Sequence, residues 1–262
     1  MTLSVAEKSY LYDSLASTPS IRPDGRYPHQ FMPIEIYTDF LPSSNGSSRI
    51  IASDGSECIV SVKAKVVDHT SDDDLLKIEI DIAGERDDAL ITESCTSLFN
   101  KLLKNIDMKK LQLTKKYSFK LFIDVLVISS NSNPVSLISF GIYSSLNSTS
   151  LPKLVSNFDD LEVEELPMFH DYDLVKLEVE PPLVFVLGIV KNNIFIDPAA
   201  SECEVANNGL IISWVGGKII APIRTLALNE TNTKGFNPNL IQEGIKLVEK
   251  YASDIASALQ NI

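Results

Sequence analysis

The chain has 262 residues, of which 44% are hydrophobic and 22% are charged, and its formal net charge is -12 at pH 7. This composition is typical of a folded globular protein and excludes a chain that is disordered throughout. The acidic balance argues against a protein that wraps nucleic acid over its whole surface, because such binding needs lysine and arginine to displace counterions from phosphates. No apolar run approaches the roughly 18 residues of a membrane span. We therefore expect no membrane partner and a cytosolic or nuclear address.

The charge is unevenly placed. Residues 101–120 contain seven lysines and one aspartate, whereas residues 157–180 contain nine acids and one lysine. A basic face and an acidic face on one molecule suit assembly with complementary neighbours. Two solvated loops are the alternative interpretation.

The first elements are a helix, a turn and four strands. Ser4 and Glu7 fit a capping box, which predicts a short N-terminal helix. Residues 22–26 (Arg-Pro-Asp-Gly-Arg) predict a turn, because proline fixes φ, aspartate caps locally and glycine accepts a positive φ. Alternation with a period of two then predicts strands over 34–40, 48–52, 59–66 and 78–82.

The period next changes to that of a helix. Apolar residues recur at i, i+4, i+7 and i+11 within residues 87–104, the spacing of a helix buried along one stripe. Residues 119–128 form a nearly continuous apolar run interrupted by Asp124, as expected of a central strand. Asn133 and Pro134 predict the start of another helix, reaching about residue 147. Its serines and Gly141 would let another backbone approach closely.

The second half repeats this order on a smaller scale. An acidic stretch with prolines over 151–173 predicts a connector. Strands are predicted over 183–190, 194–196, 210–215 and 218–223, with a Gly-Gly hairpin before the last strand, and Pro238 opens a final helix. Two unequal strand-then-helix halves predict an α+β fold with helices packed on mixed sheets, divided into domains 1–173 and 174–262.

Few residues suggest chemistry by themselves. The three histidines are not near any nucleophile signature, so a catalytic triad is not expected. The three cysteines are widely spaced and predict buried thiols, with no disulfide, metal or cofactor. Asp124 is either a carboxylate perturbed by burial or a structural residue bonded to a neighbouring turn. Asp197 most simply ends a strand.

Several blocks, taken in order, carry a resemblance to the RNase PH family. They are residues 22–26, 53–56 (Ser-Asp-Gly-Ser), 122–125 (Phe-Ile-Asp-Val) and 196–199 (Ile-Asp-Pro-Ala), the last followed by Glu202 and Glu204. Longer stretches at 4–19, 115–119 and 158–167 resemble, more narrowly, the ring subunits of yeast-type RNA exosomes that process ribosomal RNA. The resemblance implies an RNase PH-like fold.

Active members of this family are phosphate-dependent exoribonucleases. The resemblance implies arginines at the start of the first long helix, an acid in the second strand set and a Gly/Ser/Thr-rich loop that binds phosphate. This chain departs from all three. Only Arg86 remains before Asp87 and Asp88, the later acid is missing from residues 204–210, and residues 218–228 look like a hairpin strand.

The resemblance therefore implies a non-catalytic subunit of a six-membered ring around an RNA channel. Its implied partners are the other ring subunits, RNA-binding cap subunits, a hydrolytic exonuclease and RNA, in the nucleus, nucleolus and cytoplasm. Candidate contacts to RNA or partners are Arg86, Lys115 and Lys116. The family signature, assigned to structure or to an interface, comprises Arg22, Asp24, Gly25, Arg26, Asp124 and Asp197.

Two other functions stay open at this point. The chain could be an active phosphate-dependent exoribonuclease that uses Asp124 or Asp197 in an atypical site. It could instead be a free RNA-binding module.

Overall fold

The computed structural model describes residues 3–71, 74–86, 88–156 and 166–260. In chain order its elements are α1 (Val5–Ala16), β1 (Ile34–Thr38), β2 (Gly46–Ala52), β3 (Glu57–Asp68), β4 (Leu76–Ile82), α2 (Leu90–Leu103), a 3-10 turn (Met108–Leu111), β5 (Tyr117–Ser129), α3 (Val135–Ser148), β6 (Ser150–Leu154), β7 (Phe169–Lys176), β8 (Leu183–Val190), β9 (Asn193–Ile196), α4 (Ala200–Val205), β10 (Asn208–Val215), β11 (Lys218–Leu226) and α5 (Asn239–Gln260). The nine strands and four helices predicted from periodicity are all present.

The first half forms a five-stranded sheet in the order β1-β2-β3-β5-β4. Neighbouring strands are antiparallel except for β4 and β5, which are parallel. One face is apolar and buried, as Val60, Ile78 and Ile123 illustrate. Helix α2 packs beside β4, and α3 packs on β2 and β3. The prediction that β5 is an interior strand is confirmed.

The second half forms a four-stranded antiparallel sheet in the order β11-β10-β8-β9, with α5 packed on it. The prediction of mixed sheets therefore holds for the first sheet only. Every residue of β8 is buried, as expected for a strand covered on both faces.

Helix α3 joins the two halves, since it contacts β2 and β3 of one sheet and β8 of the other. Its small residues allow this close approach. The Ser48 hydroxyl donates to the Gly141 carbonyl at 2.8 Å, and the Ser139 hydroxyl accepts from the Val184 N–H at 2.7 Å. A Cβ atom on Gly141 would lie 2.6 Å from Cγ2 of Val60. The expectation that another backbone approaches this helix is thus confirmed.

A smaller apolar cluster connects the N-terminal helix to the second half. Leu15 of α1 packs with Phe195 of β9 and Val205 of α4. The predicted capping box is present, because the Ser4 N–H donates to Glu7 Oε2 at 2.7 Å and the Glu7 N–H donates to Ser4 Oγ at 3.3 Å. The N-terminal helix is therefore anchored at both ends.

The prediction of a connector over residues 151–173 is wrong for its described parts. β6 and β7 form a two-stranded antiparallel sheet there. Pro152 and the acidic composition hid the strands, which are defined by pairing with each other and not by alternation. The run at 157–165, with most of the family block at 158–167, lies outside the described residues. The division at residue 173 falls within β7 and stays a prediction.

Candidate functional site

The family signature folds into a cluster that ties the N-terminal segment to the second half. Arg22 is only 2% exposed. Its Nε donates to Glu202 Oε1 at 2.8 Å and its Nη2 donates to Glu202 Oε2 at 2.7 Å, which makes a bidentate ion pair. Nη1 donates to the Ile196 carbonyl at 3.0 Å and Nη2 to the Asp197 carbonyl at 2.9 Å. The pair joins positions 180 residues apart.

Every other signature residue except Asp124 belongs to this cluster. Arg26 Nε donates to Asp24 Oδ2 at 2.6 Å, and Arg26 Nη1 donates to Asp197 Oδ2 at 3.2 Å. Gly25 adopts φ +76°, a conformation that favours glycine. The turn chemistry predicted from the sequence is therefore correct, and the turn places both arginines against carboxylates of their own chain.

Asp197 follows directly after β9 and adopts φ +53°, which aspartate tolerates better than most residues. Its carboxylate also accepts from the Met32 N–H at 2.9 Å. Burial raises the pKa of the Asp197 carboxyl above its ordinary value, although the Met32 hydrogen bond and the two arginine charges act in the opposite direction. As predicted, Asp197 ends a strand, and it also holds a second contact between the two halves.

Glu202 is the partner whose role the sequence left unassigned. Its side chain is fully buried. Besides pairing with Arg22, Oε2 accepts from the Ala199 N–H at 2.8 Å and so caps the start of α4. In a capping box, a glutamate three residues after the N-cap residue accepts a hydrogen bond from the N-cap N–H. Glu202 has this position relative to Ala199, and this spacing is the signal that could have revealed α4.

A cleft of about 790 Å³ lies beside the signature cluster, between the two halves. Its wall is formed by the loop before α3, the start of α4, the end of β11 and Ile91 near the start of α2. The charged residues that line it are Asp54 and Glu204, and no lysine or arginine of the described ranges does so. Lys8 Nζ lies 3.0 Å from Glu204 Oε2 and offsets part of that charge, so the lining of the cleft is only weakly acidic.

The loop before α3 is the element of this cleft that sequence reasoning missed. Asn131 is held by its N–H donating to Ser56 Oγ at 3.0 Å and by Nδ2 donating to the Asp54 carbonyl at 2.6 Å. Asn133 Oδ1 accepts from the Val135 N–H at 3.1 Å and caps α3. The loop is rich in serine and asparagine and leads into a helix N-terminus, the kind of place that attracts anions. The carboxylate of Asp54 lines the same cleft.

Active members of the family carry a phosphate-binding loop in the region that corresponds to residues 218–228. In this chain, residues 218–226 form β11. It follows the predicted hairpin turn, in which Gly216 and Gly217 have φ +53° and +86°. The prediction of a hairpin strand is confirmed.

The remaining predicted site residues lie apart from the cluster. Asp124 is exposed on the outer face of the first sheet, between Ser61 on β3 and Glu79 on β4. The interpretation of Asp124 as a buried, perturbed carboxylate is thus wrong, because strand alternation turns it away from the core.

The predicted RNA contacts lie on two separate loops. Arg86 is exposed in the loop before α2, next to Asp88, while Asp87 is outside the described residues. Lys115 and Lys116 lie in the turn before β5, where Lys116 Nζ is 4.0 Å from Asp68 Oδ2. Their contact with RNA or partners stays a prediction.

All three cysteines are buried and free, as predicted. Burial raises the pKa of the Cys58 thiol to about 12, of Cys95 to about 11 and of Cys203 to about 12. The described residues contain no group of three or more side chains that could hold a metal ion. Among the described helices, none combines the length and apolar character needed to cross a bilayer.

Several solved structures share this fold. The chain superimposes on a chain of an archaeal exosome core with a TM-score of 0.74 at 18% identity, covering 97% of this chain and 96% of the other. It matches a chain of the Archaeoglobus fulgidus exosome with RNA bound to the active site at a TM-score of 0.74 and 17% identity, covering 97% of both. It matches the crystal structure of rice (Oryza sativa) Rrp46 at a TM-score of 0.66 and 12% identity, covering 91% of this chain and 98% of the other. The fold is therefore the predicted α+β, RNase PH-like fold.

Sequence comparison narrows this class. No protein-family model matches the chain. It is 71% identical over 265 residues to the exosome complex component RRP42 of Saccharomyces cerevisiae, covering 100% of both chains. It is 27% identical over 283 residues to rrp42 of Schizosaccharomyces pombe, covering 100% of this chain and 94% of the relative. The chain belongs to the Rrp42 family of exosome complex components.

Proposed function

We propose that the chain is a non-catalytic structural subunit of the RNase PH-like exosome ring. It supports the passage of RNA to a separate 3′-to-5′ exonuclease for ribosomal RNA processing and RNA decay. Its partners are five related ring subunits, RNA-binding cap subunits, the hydrolytic exonuclease and RNA in the channel, in the nucleus, nucleolus and cytoplasm. The identity of 71% over the full length of a named exosome component supports ring membership.

The charge of the residues that line the cleft between the two halves supports the proposal that the chain is not catalytic. Phosphorolysis brings an RNA phosphate and a free phosphate together, so its site must offer preorganised cations or N–H donors. Here the charged lining residues of the cleft are Asp54 and Glu204. The two nearest signature arginines are both paired with carboxylates of the same chain. Among the described residues, the lining of this cleft therefore offers the two reacting anions no lysine or arginine.

The reaction itself tests the absence of catalysis. The chain, alone and reconstituted with the companion ring subunits of S. cerevisiae, is incubated with RNA and inorganic phosphate, and nucleoside diphosphates are measured. We expect that the chain releases no nucleoside diphosphates alone and adds none to the output of the ring. The contrary result is a release of nucleoside diphosphates that disappears in Asp197→Asn but persists in Asp124→Asn, whose position lies on the distant sheet face. This result would establish the phosphorolytic alternative and refute the proposal of a non-catalytic subunit.

RNA binding separates the scaffold from a free RNA-binding module. A module predicts measurable RNA affinity of the isolated chain with a steep salt dependence. We expect weak or absent binding by the isolated chain and retention of RNA only by the assembled ring. Replacing Arg86, Lys115 and Lys116 by alanine within the ring should weaken that retention, and an unchanged affinity would remove these residues as contacts.

A further inference from the structure

Exposed apolar side chains are concentrated along the sequence around the ribbon of β6 and β7, with three of them on β7 and three just outside the two strands. Of sixteen large exposed hydrophobic residues, six lie within residues 155–175, and each is more than half exposed. They are Val155, Leu166, Met168, Tyr172, Leu174 and Val175. Soluble proteins rarely leave such a concentration uncovered unless it binds a partner.

Both ends of this ribbon contact the first half. Leu151 is buried, and the Phe169 ring stacks on Phe119 with 5.6 Å between centroids. The Ser150 N–H donates to the Asn45 carbonyl at 2.8 Å. Tyr172 and Leu174 therefore lie between two attached ends of the ribbon, which limits the conformational entropy lost on binding.

A bulge in β7 presents Tyr172. Leu174 pairs with Pro152 and Phe169 pairs with Leu154, so residues 170–173 of β7 stand opposite the single residue 153 of β6. His170 Nδ1 accepts from the N–H groups of Tyr172, at 3.4 Å, and Asp173, at 3.1 Å, and so holds the bulge. Bulges redirect side chains. Tyr172 is 89% exposed, and tyrosine is enriched among the residues that dominate binding energy at interfaces.

The charge of the segment around β6 and β7 indicates what kind of partner binds there. Within the described ranges 150–156 and 166–180, the segment contains four acids and two lysines. One of these lysines, Lys153, lies 3.6 Å from Asp173, which offsets part of its charge. This balance repels a nucleic-acid backbone and favours a protein surface that carries lysine or arginine. Among the described residues β7 pairs only with β6, so its outer edge can also accept a strand.

We propose that the β6–β7 ribbon docks onto a neighbouring subunit of the exosome ring, inserting Tyr172 and Leu174 into an apolar cleft rimmed by lysine or arginine. This proposal rests on the proposed function, because it names the element through which the chain joins the ring. The ribbon contacts Phe119 near the start of β5, whereas the cleft lies beside residues 131–133, beyond the end of that strand, so substitutions in the ribbon leave the signature cluster intact.

The test uses two exposed residues and matched controls of the same types. Tyr172→Ser with Leu174→Ser is compared with Tyr10→Ser combined with Leu90→Ser, residues that are 78% and 86% exposed on other elements. Tagged chains are mixed with the companion ring subunits of S. cerevisiae, and assembly is measured by sedimentation. We expect the ribbon variant to bind about thirtyfold or more weakly, the effect of removing an interface hot spot of about 2 kcal/mol, and the control variant to bind like the unmodified chain.

The outcomes separate the two proposals. If the unmodified chain does not assemble, the proposed function fails and the ribbon proposal fails with it. If the unmodified chain and the ribbon variant assemble equally, or if both variants are impaired equally, only the ribbon proposal fails. Hydrogen exchange gives a second readout that needs no variant, because residues 166–176 should become protected on assembly. Unchanged exchange there, or protection by added RNA alone, would overturn the proposal.

Discussion

Removing the Arg22 guanidinium should destabilise the protein strongly. In Arg22→Met, the Glu202 carboxylate stays fully buried, and among the described residues its remaining cationic neighbour is Arg26, with Nη2 at 3.9 Å. Breaking a buried ion pair by removing one partner costs about 3–5 kcal/mol because an uncompensated charge remains. A typical domain is stable by about 5–15 kcal/mol. We therefore expect a large part of the free energy of unfolding to be lost.

The chain offers a matched control. Arg49 pairs with Glu57 at 2.7 Å, but these side chains are 43% and 21% exposed. An ion pair this exposed contributes about 0–1 kcal/mol, so Arg49→Met should change stability little. Unfolding in urea can be followed through Trp214, the single tryptophan, which is buried in β10.

Hydrogen exchange in the assembled ring provides a second measurement, in which residues 193–206 should lose protection in Arg22→Met. The reasoning would be refuted if Arg22→Met and Arg49→Met had equal effects on unfolding and exchange. It would also be refuted if Arg22→Met destabilised the chain by less than about 1 kcal/mol, the range of a surface pair.

Four further outcomes are expected. Burial raises the pKa of Asp197, so its contribution to stability is complete below its unfolded pKa of about 3.9 and is lost as the pH rises through the raised folded value. Asp197→Asn should remove this pH-dependent step from the melting temperatures measured across the acidic range. A pH profile that is unchanged in the variant would contradict this expectation. The Cys58 thiol, with its pKa raised to about 12, should resist iodoacetamide at mildly alkaline pH until the chain is unfolded, as mass spectrometry can check. Gly141→Ala, whose Cβ would lie 2.6 Å from Val60, should cost about 1–3 kcal/mol by overpacking. Gly244→Ala should cost less, because its Cβ would meet the side-chain ends of Ile194, Ile212 and Leu187 at 3.0, 3.3 and 3.5 Å. The isolated chain should recover poorly without partners, and a stable monomer in sedimentation would count against ring membership.

Much of the fold was predictable because its signals are local. Alternation located β3 and β4, the helical spacing located α2, and paired caps located α1 and α3. β6, β7 and α4 escaped prediction for a physical reason. The two strands lack regular alternation and are defined by their pairing with each other. Helix α4 has six residues, and its capping glutamate is also the partner of Arg22.

The candidate site was predictable only in part. The signature turn at residues 22–26 was recognised from its residues, and Gly25 has the positive φ expected there. The interpretation of Asp124 failed because an apolar run does not show which face of a strand is covered. The loop at 130–133 escaped notice because its position beside the cleft depends on how the two halves pack.

The sequence by itself determined the family, the order of the main elements and the departure from the pattern of the active enzymes, because these depend on residues that are near each other in the chain. Only the tertiary structure decided what the signature arginines do. Arg22 and Glu202 are 180 residues apart, and their pairing exists only because α1, β9 and α4 pack together. The tertiary structure likewise brought Asp54 and Glu204 to one cleft and left the β6–β7 ribbon uncovered, since the charge of a cleft and the exposure of a strand follow from packing between distant segments.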